Sequence, residues 1–309
     1  MSNKILEIKN LSHRYTKNWA IRDINIEMHS NEILGLLGSN GAGKSTTMNI
    51  LCGVLNQSEG EVFINGIDLR KNPEEAKKNI GFLPQKPPVY PDLAVEEYLK
   101  HTAHLRFVPE KEIPAALEAA MEKCGLLHMR KRLIRNLSGG YQQRVGIAQA
   151  IIHKPKLVIF DEPTVGLDPN NIAEIRELIR EIAQDRAVIL CTHILPEVQM
   201  ICKSVKMIEQ GKLVFSDSID AFNDYVEPDT LFVEMGNPPS IDALKAIDGV
   251  LEVEPKNGNQ FRVKFDFHKN VSEEIISQSV KNDWKLKEVA IEKQSLDLIF
   301  AHLSGKVKK

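Results

Sequence analysis

The sequence predicts an α/β protein built on a parallel sheet, followed by a smaller α+β domain. Through most of the chain, short apolar runs alternate with amphipathic helical segments, a pattern typical of right-handed βαβ units. Toward the end, the segment order changes to strand, helix, strand, strand, helix, strand, which is the order of a ferredoxin-like unit. The chain has 309 residues, a length that suits about two domains.

Composition excludes several classes of protein. The 40 Lys and Arg against 42 Asp and Glu give a net charge of −2. This balance argues against a dedicated nucleic-acid binder, because such proteins carry a basic excess. No segment approaches the ~18 consecutive apolar residues of a membrane span. The N-terminus lacks the apolar stretch of a secretory signal. We therefore expect a cytoplasmic chain that does not cross a bilayer by itself.

The first segment, residues 1 to about 68, predicts short strands. Apolar residues such as Ile24 and Ile26 alternate with polar ones, which is the period of a half-buried strand. A continuous apolar run over 33–37 predicts a buried strand, and helical spacing of apolar residues begins near Met48.

The loop between that run and the helix carries the first functional motif. Residues 38–45 match the P-loop pattern G-x-x-x-x-G-K-[ST] at every fixed position. Glycines let backbone N–H groups converge on phosphate oxygens, and the helix directs its positive dipole end to the same place. We expect Lys44 to neutralise phosphate charge and Ser45 to bind Mg²⁺. The predicted phosphate-binding residues are Gly38, Ser39, Asn40, Gly41, Ala42, Gly43, Lys44, Ser45 and Thr46.

A helical block, residues about 86 to 153, follows a group of prolines. Helical spacing of apolar residues recurs over 95–107, 113–124 and 141–153. The block therefore predicts an inserted helical subdomain.

A second motif follows a buried strand at 157–160. Asp161 emerges at the carboxyl end of that strand, where ligands bind in parallel sheets, and it is the expected second ligand of Mg²⁺. Glu162 is next in the chain and can polarise an attacking water as a general base. An amphipathic helix over 172–182 and a strand over 188–191 continue the βαβ pattern.

A domain boundary is predicted near Glu227–Pro228, which gives domains 1–227 and 228–309. Beyond the boundary we expect, in order, a strand at 231–235, a helix at 241–247, strands at 250–254 and 260–266, a helix at 271–282, a strand at 285–292 and a last helix at 296–303.

Residues 137–144, Leu-Ser-Gly-Gly-Tyr-Gln-Gln-Arg, distinguish the chain from other P-loop proteins. Together with the motifs above, they resemble the ATP-binding cassette (ABC) transporter ATPase subunits over about residues 4–220. The resemblance implies a P-loop NTPase of ABC type, with a mixed sheet core, an antiparallel N-terminal β subdomain and the inserted helical subdomain. It also implies ATP and Mg²⁺ as cofactors and ATP hydrolysis as the activity. Among exporter-type systems, the chain looks most like the gliding-motility-associated ATP-binding subunits.

The resemblance implies roles for residues that, read alone, would only indicate a turn. Ser138, Gly139 and Gly140 are expected to contact the γ-phosphate bound by a second subunit, with Ser138 capping a helix from Tyr141 onward. Tyr141 stands where the family has Gln. Asp168 matches the Asp-containing loop along the dimer seam, although it also fits a helix N-terminal acid.

Three further side chains complete the implied site. Gln85 is expected to reach Mg²⁺ or the attacking water, and His193 to contact the γ-phosphate. Tyr15 is expected to stack on adenine, with Trp19 as its rival. The implied catalytic residues are Glu162, His193 and Gln85, and the implied metal ligands are Ser45, Gln85 and Asp161.

The chain carries one P-loop and one signature, so two identical copies are expected to enclose ATP. The resemblance further implies a separate integral membrane subunit, engaged near Gln85, Tyr90, Leu93 and Tyr98 at the inner face of the cell membrane. The expected function is ATP-driven transport, with export as the direction. The alternative is a soluble ABC ATPase acting on ribosomes or DNA. Members of those classes carry two cassettes or long coiled-coil insertions, which this sequence lacks, and no nucleic-acid partner is expected.

Overall fold

The computed structural model describes residues 4–225 and 230–292. Contacts among them divide the chain into two compact units, of which the first extends to Ile219 and the second begins at Asp220. The predicted boundary at Glu227–Pro228 and the predicted last helix at 296–303 lie outside the described residues. The division into domains 1–227 and 228–309 stays a prediction.

The first unit contains the predicted N-terminal strands, the predicted inserted helices and the predicted strand–helix–strand series, together with elements that the sequence did not predict. In chain order they are β1 Lys4–Arg14, β2 Trp19–His29, β3 Ile33–Leu37, α1 Lys44–Leu51, β4 Glu59–Ile64, β5 Ile67–Asp68, α2 Pro73–Lys78, β6 Ile80–Leu83, α3 Val95–Leu105, α4 Ile113–Lys123, α5 Gly139–Ile151, β7 Leu157–Asp161, α6 Pro169–Ile182, β8 Ala187–Cys191, α7 Leu195–Ile201, β9 Ser204–Glu209 and β10 Lys212–Ser218.

A mixed sheet of six strands forms the centre of the first unit. Its order is β10-β9-β3-β8-β7-β6. β10 pairs antiparallel with β9, and every other neighbouring pair is parallel. All five residues of β3 and all five of β8 are buried, which explains their continuous apolar sequences, because a parallel sheet is covered on both faces. The predicted buried strands are therefore confirmed.

A second sheet, in the order β2-β1-β4-β5, is antiparallel throughout. Ile8 of β1 lies opposite Ile26 of β2 and Val62 of β4, so the apolar residues share one face. β1 and β2 have 11 residues each, and both are longer than the short strands expected. Shifts in register let the pairing continue, since each bulge absorbs an extra residue and bends the strand.

The three predicted helices of the inserted block are confirmed as α3, α4 and α5. α5 begins at Gly139, two residues before the predicted start at Tyr141. Ser138 caps it, and the cap offsets the weak helix propensity of two successive glycines. α3 ends at Leu105, shorter than predicted, because Phe107 has a positive φ of 57° that cannot continue a helix.

The second unit has the predicted ferredoxin-like order. Its elements are α8 Ile219–Tyr225, β11 Thr230–Met235, α9 Ile241–Lys245, β12 Val250–Pro255, β13 Gln260–Phe265, α10 Val271–Lys281 and β14 Leu286–Ile291. The four strands form an antiparallel sheet in the order β12-β13-β11-β14. A core of buried side chains, among them Val233, Val263 and Ile275, lies between this sheet and its helices.

None of the helices within residues 4–225 and 230–292 combines the length and the apolar character needed to cross a bilayer.

Phe160 provides a test of the central sheet. Its side chain is fully buried in β7, so Phe160→Ala should lower the free energy of unfolding of the first unit by about 3–5 kcal/mol through lost contacts and a residual cavity. Phe107→Ala is the matched control, because that side chain is 80% exposed, and it should cost less than about 0.5 kcal/mol. Urea denaturation followed by circular dichroism measures both. Equal losses would contradict the described burial.

Candidate functional site

Three adjacent strands bring the predicted site residues to one edge of the central sheet. Leu36 of β3 and Asp161 of β7 both lie opposite Cys191 of β8. The three carboxyl ends therefore lie side by side. The P-loop follows β3, Glu162 follows β7 and His193 follows β8.

The P-loop needs its glycines for reasons visible in the backbone. A Cβ atom at Gly38 would lie 2.4 Å from the carbonyl oxygen of Ile208, so no side chain fits there. Gly43 has a φ of 114°, a region that residues with a side chain rarely adopt. The Lys44 Nζ donates to the carbonyl oxygens of Gly38 at 2.6 Å and Ser39 at 3.1 Å. The loop thus wraps around its own ammonium group.

The start of α1 has the properties of a phosphate site. Gly43 occupies the N-cap and provides no side-chain acceptor for the first N–H groups of the helix. Those donors and the positive end of the helix dipole can serve an anion together with Lys44. The exposed Ser45 hydroxyl lies in the same turn. The residues present therefore fit a nucleotide phosphate.

Asp161 carries a carboxylate suited to a divalent cation. Burial raises the pKa of Asp161, Glu162 acts in the same direction, and the Cys191 thiol and the Lys44 charge oppose them. The oxygens of Asp161 and Ser45 are the hard donors that Mg²⁺ prefers, and Mg²⁺ sites commonly combine one or two carboxylates with substrate phosphates. The donor set therefore fits Mg²⁺.

Glu162 is buried and directly paired with His193. Its Oε1 accepts from the Nδ1 of His193 at 2.7 Å, and its Oε2 accepts from the Thr192 hydroxyl at 3.2 Å. The Glu162 backbone has a φ of 51°, which is unusual for a residue with a side chain, and its N–H donates to the carbonyl of Cys191. Such strain is typical of functional sites, where surrounding contacts hold the backbone in place.

The signature residues contact the loop that contains Asp168. Ser138 Oγ accepts from the backbone N–H of Tyr141 at 3.5 Å. Gly140 faces Asn171 so closely that a Cβ atom would lie 2.3 Å from its Oδ1. The Asn171 side-chain amide in turn donates to Asp168. These contacts join the N-termini of α5 and α6.

Asp168 caps α6, which agrees with the alternative expectation that it is the acidic residue at a helix N-terminus. Its Oδ1 accepts from the backbone N–H groups of Asn170 and Asn171, both at 3.1 Å. These hydrogen bonds, the one from Asn171 most strongly, lower the pKa of Asp168. The cap places the carboxylate at the start of the helix, and its role along a dimer seam stays a prediction.

Tyr15 lies beside the P-loop helix, while its rival does not offer a free ring. The Tyr15 side chain is 61% exposed, and its hydroxyl lies 3.4 Å from Thr46 Oγ1 in α1. The guanidinium groups of Arg14 and Arg22 lie over the Trp19 ring at 5.2 and 5.9 Å from its centre. This geometry favours Tyr15 as the aromatic platform.

Gln85 is exposed two residues after β6, on the segment that leads to the inserted helices. Other polar residues near the site were not identified from the sequence. Gln143 of α5 donates to the carbonyl of Pro163 at 2.7 Å, and Thr164, Thr192 and Glu197 form a buried cluster. Only their position in the sequence could have pointed to them, because Thr164 and Thr192 each lie within three residues of the end of a buried strand.

Fold and site define the chain as a P-loop nucleotide hydrolase with an ABC-type signature helix. The ABC transporter family profile matches residues 21–165. The ABC transporter ATP-binding protein YhcH of Bacillus subtilis is 30% identical over 99% of this chain and 97% of its own length. The bacitracin transport ATP-binding protein BcrA of Bacillus licheniformis is 36% identical over 68% of each chain.

A solved structure agrees with these relatives. CbiO1 of Clostridium perfringens, part of the ABC transporter complex cbiONQ, superimposes with a TM-score of 0.67 at 28% identity, over 72% of this chain and 91% of cbiO1. The chain belongs to the ABC transporter ATP-binding proteins, and it is the ATP-binding, ATP-hydrolysing subunit of such a transporter. The finer resemblance to the gliding-motility-associated group stays a prediction.

The two signature glycines provide a test of the contact between α5 and α6. Gly140→Ala should destabilise the first unit by about 1–3 kcal/mol, since the new Cβ must displace Asn171. Gly139→Ala is the matched control, because the nearest atom to its Cβ is Leu167 Cδ2 at 3.9 Å. In an Asn171→Ala background, the penalty of Gly140→Ala should vanish. Urea denaturation measures each variant, and a penalty that persists without Asn171 would refute the contact.

Proposed function

We propose that two copies of the chain enclose ATP and Mg²⁺ between them, and that hydrolysis of this ATP powers export through a separate membrane subunit. The observation that carries the proposal is the convergence of the P-loop, Glu162 and His193 at one edge of the central sheet. A phosphate cradle, a buried base and a histidine at adjacent strand ends are the parts that phosphoryl transfer to water requires.

Glu162 is the general base in this proposal. Its carboxylate is buried beside His193, so a water bound there meets a basic oxygen in a region of low dielectric constant. Both carboxylate oxygens already have partners, and the water must share or replace one of them. A carboxylate only accepts, so the His193 Nδ1 carries the proton of this hydrogen bond. Gln85 completes the proposed catalytic set from the neighbouring exposed loop.

Mg²⁺ belongs to the proposed site through three ligands: the Ser45 hydroxyl, the Asp161 carboxylate and the Gln85 amide oxygen. The ion supplies charge neutralisation for the phosphates when bound. Burial raises the pKa of Asp161 and so disfavours its charged form, and a cation bound beside it would favour the ionised carboxylate.

Dimerisation explains why the signature is separate from the P-loop. Within residues 4–225, the described hydrogen bonds of Ser138 and Asp168 stay within their own helix N-termini, and none joins them to the P-loop. The exposed N-terminus of α5 can serve a phosphate bound by the second copy. ATP would then stabilise only the closed state, so its binding shifts the population toward the dimer.

A membrane subunit is the proposed partner of the segment after Gln85. Tyr90 is 54% exposed, and its ring packs edge-on against Tyr98 and His101. Tyr98, which was expected to lie near this contact, is only 3% exposed, and its hydroxyl donates to the carbonyl of Pro88. The buried Tyr98 ring packs against the exposed Tyr90 ring instead.

Two relatives support transport at a membrane as the task. BcrA is named for bacitracin transport, and cbiO1 is part of a transporter complex. Export of such compounds places the chain at the inner face of the cell membrane, held there by its partner. No observation favours the alternative action on ribosomes or DNA.

Glu162→Gln tests the proposed dimer. This variant should lose about 10²-fold or more of the ATPase rate, because the amide cannot accept a proton, and ATP should remain trapped between two copies. Light scattering should show the mass of 34.8 kDa doubling when ATP and Mg²⁺ are added. Adding Lys44→Ala should abolish the doubling. A Glu162→Gln chain that stays monomeric with saturating ATP and Mg²⁺ would contradict the proposal.

Tyr90→Ala tests the membrane interface. The variant should lose co-purification of a multi-spanning membrane protein from detergent-solubilised membranes, because Tyr90 provides exposed apolar area at the proposed contact. Its melting temperature and ATP affinity should stay unchanged. Phe107→Ala removes an even more exposed aromatic ring elsewhere and should keep the partner. Retention of the partner by both variants would place the interface elsewhere.

A further inference from the structure

A buried carboxylate contacts the loops that follow β7 and β8, and it has no part in the ATP contacts proposed above. Glu197 of α7 is 1% exposed. Its Oε1 accepts from the Thr164 hydroxyl and its Oε2 from the Thr192 hydroxyl, the latter at 3.3 Å. Thr164 follows Glu162 by two residues, and Thr192 directly precedes His193. One side chain therefore contacts both loops that carry the catalytic pair.

The position of Glu197 is energetically costly. Its one described cation is Arg176 of α6, whose Nη2 lies 3.9 Å from Oε1, too far for a hydrogen bond. Burial raises the pKa of Glu197 in spite of the two hydroxyl donors and Arg176. An apolar side chain of similar volume would pack α7 without this desolvation cost. Packing alone therefore does not explain a carboxylate at this position.

The Thr192 hydroxyl connects this carboxylate to the catalytic one. Its Oγ1 lies 3.2 Å from Glu162 Oε2 and 3.3 Å from Glu197 Oε2, and it accepts from the backbone N–H of Ile194 at 3.0 Å. The hydroxyl has a single proton and two carboxylate neighbours, so the position of its oxygen depends on both of them. The position of Glu197 thus affects how firmly Glu162 is held opposite His193.

We propose that Glu197 is a positioning residue for ATP hydrolysis, which fixes Thr192 and Thr164 and through them the Glu162 carboxylate beside His193. The inference rests on the proposed role of Glu162 as the base. The P-loop does not depend on this cluster, because the Lys44 ammonium is held by carbonyl groups of the loop itself. Loss of Glu197 should therefore lower kcat and leave the affinity for ATP unchanged.

The first measurement compares two substitutions at Glu197 in the full chain. Glu197→Met keeps the volume but removes both acceptors, and it should lower kcat about tenfold or more with KM for ATP changed less than about twofold. Glu197→Gln should recover most of the rate, because its oxygen can accept from one threonine and its amide can donate to the other. Glu177→Met is the control, since that side chain is 60% exposed and pairs with Arg180 on the surface of α6.

Thermal unfolding separates positioning from folding. The control and Glu197→Gln should melt like the unaltered chain. If Glu197→Met is unfolded, Glu197→Gln and Thr192→Val carry the test. Unaltered kcat in a folded Glu197→Met chain would overturn the inference, and so would a rate loss matched by an equal rise in KM.

A double-mutant cycle identifies the route through Thr192. Thr192→Val removes the shared hydroxyl at nearly constant volume and should itself lower kcat. In the double variant Thr192→Val with Glu197→Met, the fold-loss in kcat should be smaller than the product of the two single fold-losses, because both substitutions remove the same contact. Multiplicative losses would overturn the route. Glu162→Gln is measured beside them: if it hydrolyses ATP at the normal rate, the proposed function fails, whereas an inactive Glu162→Gln with normal Glu197 variants refutes this inference alone.

Discussion

Parallel pairing in register is the constraint on which the whole site depends. β8 lies between β3 and β7, and the carboxyl ends of all three strands coincide at Cys191. Each strand is too apolar to leave the core, so its first polar residue emerges at the same edge. A shift of one residue in β7 would turn Asp161 to the other face of the sheet. The chemistry is thus assembled by hydrophobic burial before any ligand arrives.

Polar groups at that edge are held at a cost in stability. Glu162 combines a left-handed backbone with a buried carboxylate, and Glu197 adds a second buried carboxylate close by. Two threonine hydroxyls, one imidazole and one distant guanidinium are the described compensation. The surrounding parallel sheet supplies the stability that tolerates this arrangement. A site of this kind is rigid because its members cannot move independently without leaving a buried oxygen unpaired.

The sequence predicted the buried strands of the site, the three inserted helices, the segment order of the second unit and the placement of the P-loop, because these follow from hydrophobic period and from fixed backbone geometry. It did not reveal Glu197, which belongs to a segment for which no element was predicted. The burial of that carboxylate depends on α6 and β7, which are distant in sequence. The sequence likewise did not show that Tyr90 rather than Tyr98 is the exposed ring, since periodicity identifies a helix face but not which aromatic of a cluster stays exposed. Long-range packing decides both cases.

The contact between Gly140 and Asn171 connects the signature to the loop that contains Asp168. α5 belongs to the inserted helices, whereas α6 packs against α7 and buries Ile175 and Ile179 on its inner face. A rotation that brings α5 closer to α6 must therefore displace Asn171, whose side-chain amide donates to Asp168. In the proposed dimer both loops face the second copy. In the proposed function, a membrane subunit that moves the segment at Tyr90 would thus act on the phosphate contact and on the seam together, and one closing motion would couple both to transport.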